Sequence, residues 1–149
     1  MKKNDTTLMS PSEWEVMRVI WTTGGASSKE VISLIQAKST WSESTIKTLL
    51  RRLVEKKMLS TIKEGRRFFY RPTITEAAAM DKVVSDLFDH LCSMKKGGVI
   101  LKLLSELTLS RSDIEQMQQL LSQKIKTAPV AIACDCLSND RNCDQKKSC

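Results

Sequence analysis

Helix start and stop signals follow one another so closely between Ser10 and Arg71 that this segment has room for three short helices and one hairpin. Ser10-Pro11-Ser12-Glu13 is a capping box with proline at the first helical position. Trp14, Met17, Ile20 and Trp21 then recur at the 3–4 spacing that buries one helix face. Gly24-Gly25 stops the helix, because glycine readily takes the left-handed conformation of a C-terminal cap. Ser27-Ser28-Lys29-Glu30 is a second capping box, with Val31, Leu34 and Ile35 as its short apolar face, and Ser39-Thr40 breaks the pattern.

A third helix is predicted from its cap at Ser42 to about Lys57. Ile46, Leu49, Leu50 and Leu53 form one apolar stripe at i, i+3, i+4, i+7. At ~100° per residue, Ser44, Lys47, Thr48 and Arg51 fall on the opposite face, with Thr45 and Arg52 beside them. That face begins with short hydroxyl side chains and turns basic. A helix entering a DNA major groove needs this order: small groups let the backbone approach base edges, and Lys or Arg reaches guanine or phosphate. Taken alone, the face fits a solvated polar surface equally well.

The following segment favours the nucleic-acid reading. Leu59-Ser60-Thr61-Ile62 and Arg67-Phe68-Phe69-Tyr70-Arg71 are β-prone runs on either side of Lys63-Glu64-Gly65-Arg66, a hairpin signal. Lys63, Arg66, Arg67 and Arg71 make it basic. A basic hairpin directly after a helix-turn-helix is a wing, positioned to run along phosphates. The charge balance agrees. Residues 1–75 hold 14 Lys/Arg and 7 Asp/Glu, whereas residues 76–149 hold 10 of each, so the whole excess of +7 lies in the first half. A basic half attracts polyanions without regard to sequence.

Beyond the wing, apolar positions again have helical spacing. Glu76–Met94 carries Val83, Val84, Leu87, Phe88 and Leu91, and Gly97-Gly98 is expected to break it. Val99–Leu107 is short and densely apolar. Ser110 caps a last helix with Ile114, Met117, Leu120, Leu121 and Ile125. Three short helices cannot bury this much apolar surface against one another, so a partner chain is expected. Pro129 ends the helical region.

Four of the five cysteines lie in the last sixteen residues: Cys134, Cys136, Cys143 and Cys149. Thiolates are soft donors that select Zn(II) or Cu(I). Four of them can close a tetrahedral site. The fifth, Cys92, falls in a helix pattern near the apolar face and reads as a small buried hydrophobe. His90, the one histidine, reads as a solvated helix residue. With no second histidine, no phosphate-binding glycine loop and no triad, an enzyme is not expected. No 18-residue apolar run spans a membrane and no signal peptide is recognised at Met1-Lys2-Lys3-Asn4-Asp5. The expected compartment is therefore the reducing cytoplasm, where thiols bind metal more often than they form disulfides.

The stretches Ser12 to Met17, Ile20-Trp21, Trp41 to Leu53 and Gly65 to Tyr70 resemble the winged-helix repressors of the penicillinase-repressor family, over roughly Leu8 to Lys126. That family includes β-lactam-responsive repressors and the CopY-type copper-responsive repressors. The resemblance implies a homodimer that blocks transcription from a palindromic double-stranded DNA operator with TACA/TGTA-type half-sites. Carried over, the readers are Ser44, Thr45, Lys47 and Thr48, with Arg51 on phosphate or base; the basic hairpin itself adds Lys63, Arg66 and Arg67 along the backbone. CopY-type chains end in two Cys-x-Cys pairs. This chain keeps the first, Cys134 and Cys136, and departs at the second, where Cys143 and Cys149 stand singly. The β-lactam branch is released by cleavage of an Asn-Phe bond, and no Asn-Phe dipeptide occurs here.

The expected protein is mainly α with a small β wing: a winged helix-turn-helix over 1–75, a helical dimerisation region over 76–127 and a Cys-rich metal-binding tail over 128–149. Its expected function is metal-responsive repression of copper-homeostasis genes, with release by Cu(I). Zn(II) and/or Cu(I) are the expected metals, and a copper donor protein is a further expected partner. The alternatives are a metal-buffering protein, a thiol redox sensor, or a β-lactam-responsive repressor of the same family.

Overall fold

The structure, a computed structural model, describes residues 9–136. Its elements in chain order are α1 (Pro11–Thr23), β1 (Ala26–Ser27), α2 (Ser28–Gln36), α3 (Glu43–Glu55), β2 (Leu59–Glu64), β3 (Arg67–Pro72), α4 (Glu76–Asp89), a 3-10 turn (Ser93–Lys95), α5 (Lys96–Glu106) and α6 (Arg111–Lys124). The chain divides into two compact units, one running to Val84 and the other beginning at Ser85. The boundary falls within α4.

The expected caps are all present. Ser10 and Ser27 each accept from the backbone N–H three residues on, and Glu13 and Glu30 reciprocate. Ser42 caps α3 through the Thr45 N–H. Gly24 ends α1 in the left-handed conformation, at φ 71°. The Ile46, Leu49, Leu50 and Leu53 stripe is buried and meets Val16, Met17 and Ile20 of α1 with Val31 and Ile35 of α2. Met58 and Leu59 close the bottom of this core where the wing begins.

The sheet has one more strand than the hairpin predicts. β1 pairs with β3, Ala26 facing Tyr70, and β3 pairs with β2, Thr61 facing the same Tyr70, so the order is β1-β3-β2, all antiparallel. This third strand fixes the wing against the turn between α1 and α2. Lys63 and Glu64, expected in the loop, belong to β2, and the turn itself is Gly65-Arg66.

The second unit departs from expectation where its first helix ends. Gly97-Gly98 does not break a helix; both glycines lie in the first turns of α5. The end of α4 comes at Asp89, five residues before Met94. The terminator is a tightening of the backbone: the His90 and Leu91 N–H groups donate to Leu87 and Phe88 carbonyls three residues back. Cys92 then leaves in an extended conformation, at ψ 128°. Two helical glycines cost about 1 kcal/mol each relative to alanine. No residue of α5 or α6 is buried. Leu101 and Ile125 are 70% and 75% exposed, an apolar surface left uncovered by a single chain.

Candidate nucleic-acid interface and metal centre

α3 presents the face opposite its buried stripe to solvent. Ser44, Thr45, Lys47 and Arg51 are exposed, and Thr48 is half-buried. Their hydroxyls are not idle. Ser42 Oγ lies 2.9 Å from Ser44 Oγ and 2.8 Å from Thr45 Oγ1, forming a hydroxyl cluster at the helix start. Thr48 Oγ1 donates to the Ser44 carbonyl at 2.9 Å, so the hydroxyl is engaged within the helix. Lys47 pairs with Glu43 and Arg51 with Glu55 one turn along the same face, all well exposed. Exposed pairs of this kind are worth at most about 1 kcal/mol and exchange readily for other anions.

Lys63, Arg66 and Arg67 are exposed on the wing. An open groove of about 710 Å³ joins the wing to the helices. Lys47, Arg66 and Arg67 line it together with Lys29, Glu43 and Phe68. One helix-face lysine and two wing arginines therefore share a single concave surface. Arg67 also helps to hold the Glu30 carboxyl below its ordinary range, after the side-chain and backbone hydrogen bonds from Ser27 that dominate that shift. Lys29 was not among the expected site residues. Its position at the start of α2 is separated in sequence from both α3 and the wing, and only the three-dimensional packing brings it to the groove.

The second candidate site lies in the second unit. Cys92, Cys134 and Cys136 place their three sulfurs within 4.8 Å of one another, and Cys92 Sγ donates to Cys134 Sγ at 3.5 Å. Cys92 is thus not on the apolar face of a helix: it lies beyond the end of α4, half-buried among thiols. Cys143 and Cys149 lie outside the described residues. His90 is exposed past the end of α4, its Nδ1 2.6 Å from the Asp86 carbonyl oxygen.

The tail is held beside Cys92 by its own acid. Asp135 accepts from the Ser93 backbone N–H at 2.8 Å and from the Ser93 hydroxyl. Cys92 makes no side-chain cap for the turn that follows it, so this carboxylate, 42 residues away, caps it. The two Ser93 bonds hold the Asp135 carboxyl below its ordinary range. Among the thiols, a hydrogen bond with Cys136 holds Cys92 low, and that bond pushes Cys136 up to about 12. A bound metal ~2.3 Å from each of three sulfurs in a plane requires sulfurs about 4 Å apart. The spacing of these three fits a soft cation.

Three helices with a paired basic hairpin docked on them make the first unit a winged helix-turn-helix. Residues 9–123 match the penicillinase repressor family, and the chain belongs to it, a family of transcriptional repressors and not of enzymes. Residues 134 and 136, like 143 and 149, lie beyond that match. The chain is 49% identical over 143 residues to an uncharacterised 16.5 kDa protein of Latilactobacillus sakei, covering 96% of this chain and 98% of that one. That match leaves at most six residues of this chain outside it (149 − 143), so it takes in most of the cysteine tail. The chain is 34% identical over 115 residues to the penicillinase repressor of Bacillus licheniformis, covering 77% of this chain and 90% of the relative. Among solved structures, a CopR repressor shares 52% identity over 45% of this chain and 97% of its own, with a TM-score of 0.40. Among the described residues, no helix is long and apolar enough to cross a membrane.

Proposed function

We propose that this repressor binds a palindromic operator as a homodimer and that copper releases it. The observation that carries the DNA reading is the shared groove: Lys47 on the exposed face of α3 opens onto the same concavity as Arg66 and Arg67 of the wing. In this reading α3 lies in the major groove. Ser44, Thr45, Lys47 and Thr48 meet base edges, Arg51 meets phosphate or base, and Lys63, Arg66 and Arg67 follow the backbone. The name of the Bacillus licheniformis relative supports repression as the outcome. Residues 1–75 read DNA, 76–127 dimerise and 128–149 sense metal. The uncovered apolar residues of α5 and α6 support a second copy of the chain as the partner, because a closed pair buries the same patch on both copies.

The metal reading rests on the donor set. Cys134, Cys136, Cys143 and Cys149 hold Zn(II) in the DNA-bound state and exchange it for Cu(I), which a copper donor protein in the cytoplasm supplies. Thiolates suit both ions, whereas Zn(II) prefers four tetrahedral ligands and Cu(I) accepts fewer. Exchange regulates only if the two metal states couple differently to operator binding.

The test is operator binding by the full chain, measured by fluorescence anisotropy with Zn(II), with Cu(I) and with a thiol oxidant. Tight binding that is specific for a TACA/TGTA palindrome and falls with Cu(I) is the expected result. Equal affinity for random DNA would remove the operator reading, and release by oxidant but not by Cu(I) would replace copper sensing with thiol redox sensing.

A further inference from the structure

We infer that Cys92 is itself a metal ligand, and that Cys92, Cys134 and Cys136 form a three-thiolate site for Cu(I) that fastens the tail to the corner between α4 and α5. This rests on the metal-sensing reading of the tail and adds to it a ligand from the body of the second unit. Three observations converge on it.

The sulfurs are already gathered: all three lie within 4.8 Å of one another and the Cys92–Cys134 pair is 3.5 Å apart, so closure around a single ion needs movements of an ångström or less. The gathering is enforced by a contact that involves no sulfur. Ser93 grips Asp135 with its backbone N–H and its hydroxyl. Ser93 adjoins Cys92, and Asp135 stands between Cys134 and Cys136. A clamp between the neighbours of the ligands preorganises the ligands, as partners behind metal-binding side chains commonly do. The donor type fits the ion. The cluster as described is made of thiols alone. Thiolates are soft donors that suit Cu(I), which accepts three of them.

The experiment uses the full reduced chain under anaerobic conditions, with Cu(I) supplied against a chromogenic Cu(I) chelator. Copper K-edge absorption then counts sulfur neighbours at one equivalent. The expected wild-type count is three. Cys92→Ser should lower it to two and weaken Cu(I) binding by on the order of tenfold or more. A second measurement needs no substitution: one equivalent of Cu(I) should protect Cys92 from alkylation together with Cys134 and Cys136, read by mass spectrometry. If Cys92 alkylates at its metal-free rate while Cys134 and Cys136 are protected, or if Cys92→Ser keeps three sulfurs and full affinity, Cys92 is not a ligand and copper sensing by the tail alone stands. If the wild-type chain takes no Cu(I) from the chelator, both readings fail together.

Discussion

Lys56 Nζ lies 2.6 Å from Glu13 Oε2, an ion pair whose acid is 2% exposed and whose base is 23% exposed. It ties the start of α1 to the cap of α3, and the same Oε2 accepts the Ser10 N–H at 2.8 Å. Burial raises the Glu13 carboxyl, but the bonds from Lys56 and Ser10, with the charges of Lys56 and Arg52, outweigh it and hold the group below its ordinary value. A depressed folded-state pKa means stability that is present above the ordinary carboxylate range and is lost as pH falls through the depressed value. Glu13→Gln should destabilise the first unit by about 2 kcal/mol at neutral pH, because it replaces charge-assisted bonds to a buried carboxylate with neutral ones. It should also flatten the loss of stability below about pH 5 relative to wild type. Trp14, Trp21 and Trp41 all lie in this unit, so denaturant titration by tryptophan fluorescence reports it. Identical acid limbs in the two proteins would refute the coupling.

Gly25 predicts a different kind of loss. At φ 134°, it would bring an added Cβ to 2.8 Å from Phe69 Cε1 and 3.1 Å from the Tyr70 carbonyl oxygen. Both neighbours belong to β3, so the clash falls where the wing docks. Gly25→Ala should cost about 2–3 kcal/mol from strain and overpacking. Gly65→Ala, at φ 63° with nothing within 4 Å, should cost only about 1 kcal/mol. Equal losses at the two positions would mean the docking contact has no special weight.

On the wing, Arg66→Ala should weaken binding to all DNA sequences alike and flatten the slope of log K against log salt by about one unit. Anisotropy titrations at several salt concentrations measure it. An unchanged slope would take the wing off the phosphate backbone.

On α3, the Thr48 hydroxyl is engaged within the helix, so on the proposed reading its methyl is the group that meets a base, suited to the methyl of thymine. Thr48→Ser should therefore lose most of what Thr48→Ala loses, about 1 kcal/mol on the cognate site and far less on random DNA. If Thr48→Ser binds as wild type, the hydroxyl and not the methyl makes the contact. Lys47→Ala should cost about 1–3 kcal/mol, again selectively on the cognate site.

Metal should stabilise the second unit in a way that depends on Cys92. Fixing Cys92 to Cys134 closes a span of 42 residues, which the chain-entropy treatment of cross-links values at up to about 4 kcal/mol. Hydrogen exchange in α5 and α6 should slow when Cu(I) is added to the wild type and change little in Cys92→Ser. Slowing of equal size in both would place the closure elsewhere.

The first unit was readable because its signals are local. A capping box such as Ser27 with Glu30, the left-handed Gly24 and the stripe from Ile46 to Leu53 each lie within one or two helical turns. β1 was not readable: two residues carry no periodicity, and the strand exists through its pairing with Phe69 and Tyr70. Gly97-Gly98 misled because glycine ends a helix where a left-handed residue is required, and helical geometry at α5 requires none. Cys92 was read by its place in a helical pattern, but α4 ends before reaching it. The partners that give Cys92 its chemistry lie 42 residues away and meet it only through the Ser93–Asp135 contact.

The Asp135 cap turns α5 and α6, with their uncovered leucines and isoleucines, into a ring of chain whose clasp is the thiol cluster. On the proposed reading, opening or closing the clasp would change how firmly those helices are presented to a second copy, and the metal signal would be written into subunit affinity. A sensor of that kind has no fixed threshold. The copper level at which it leaves its operator would rise or fall with the number of copies the cell maintains, and control over the repressor's own abundance would become part of its calibration.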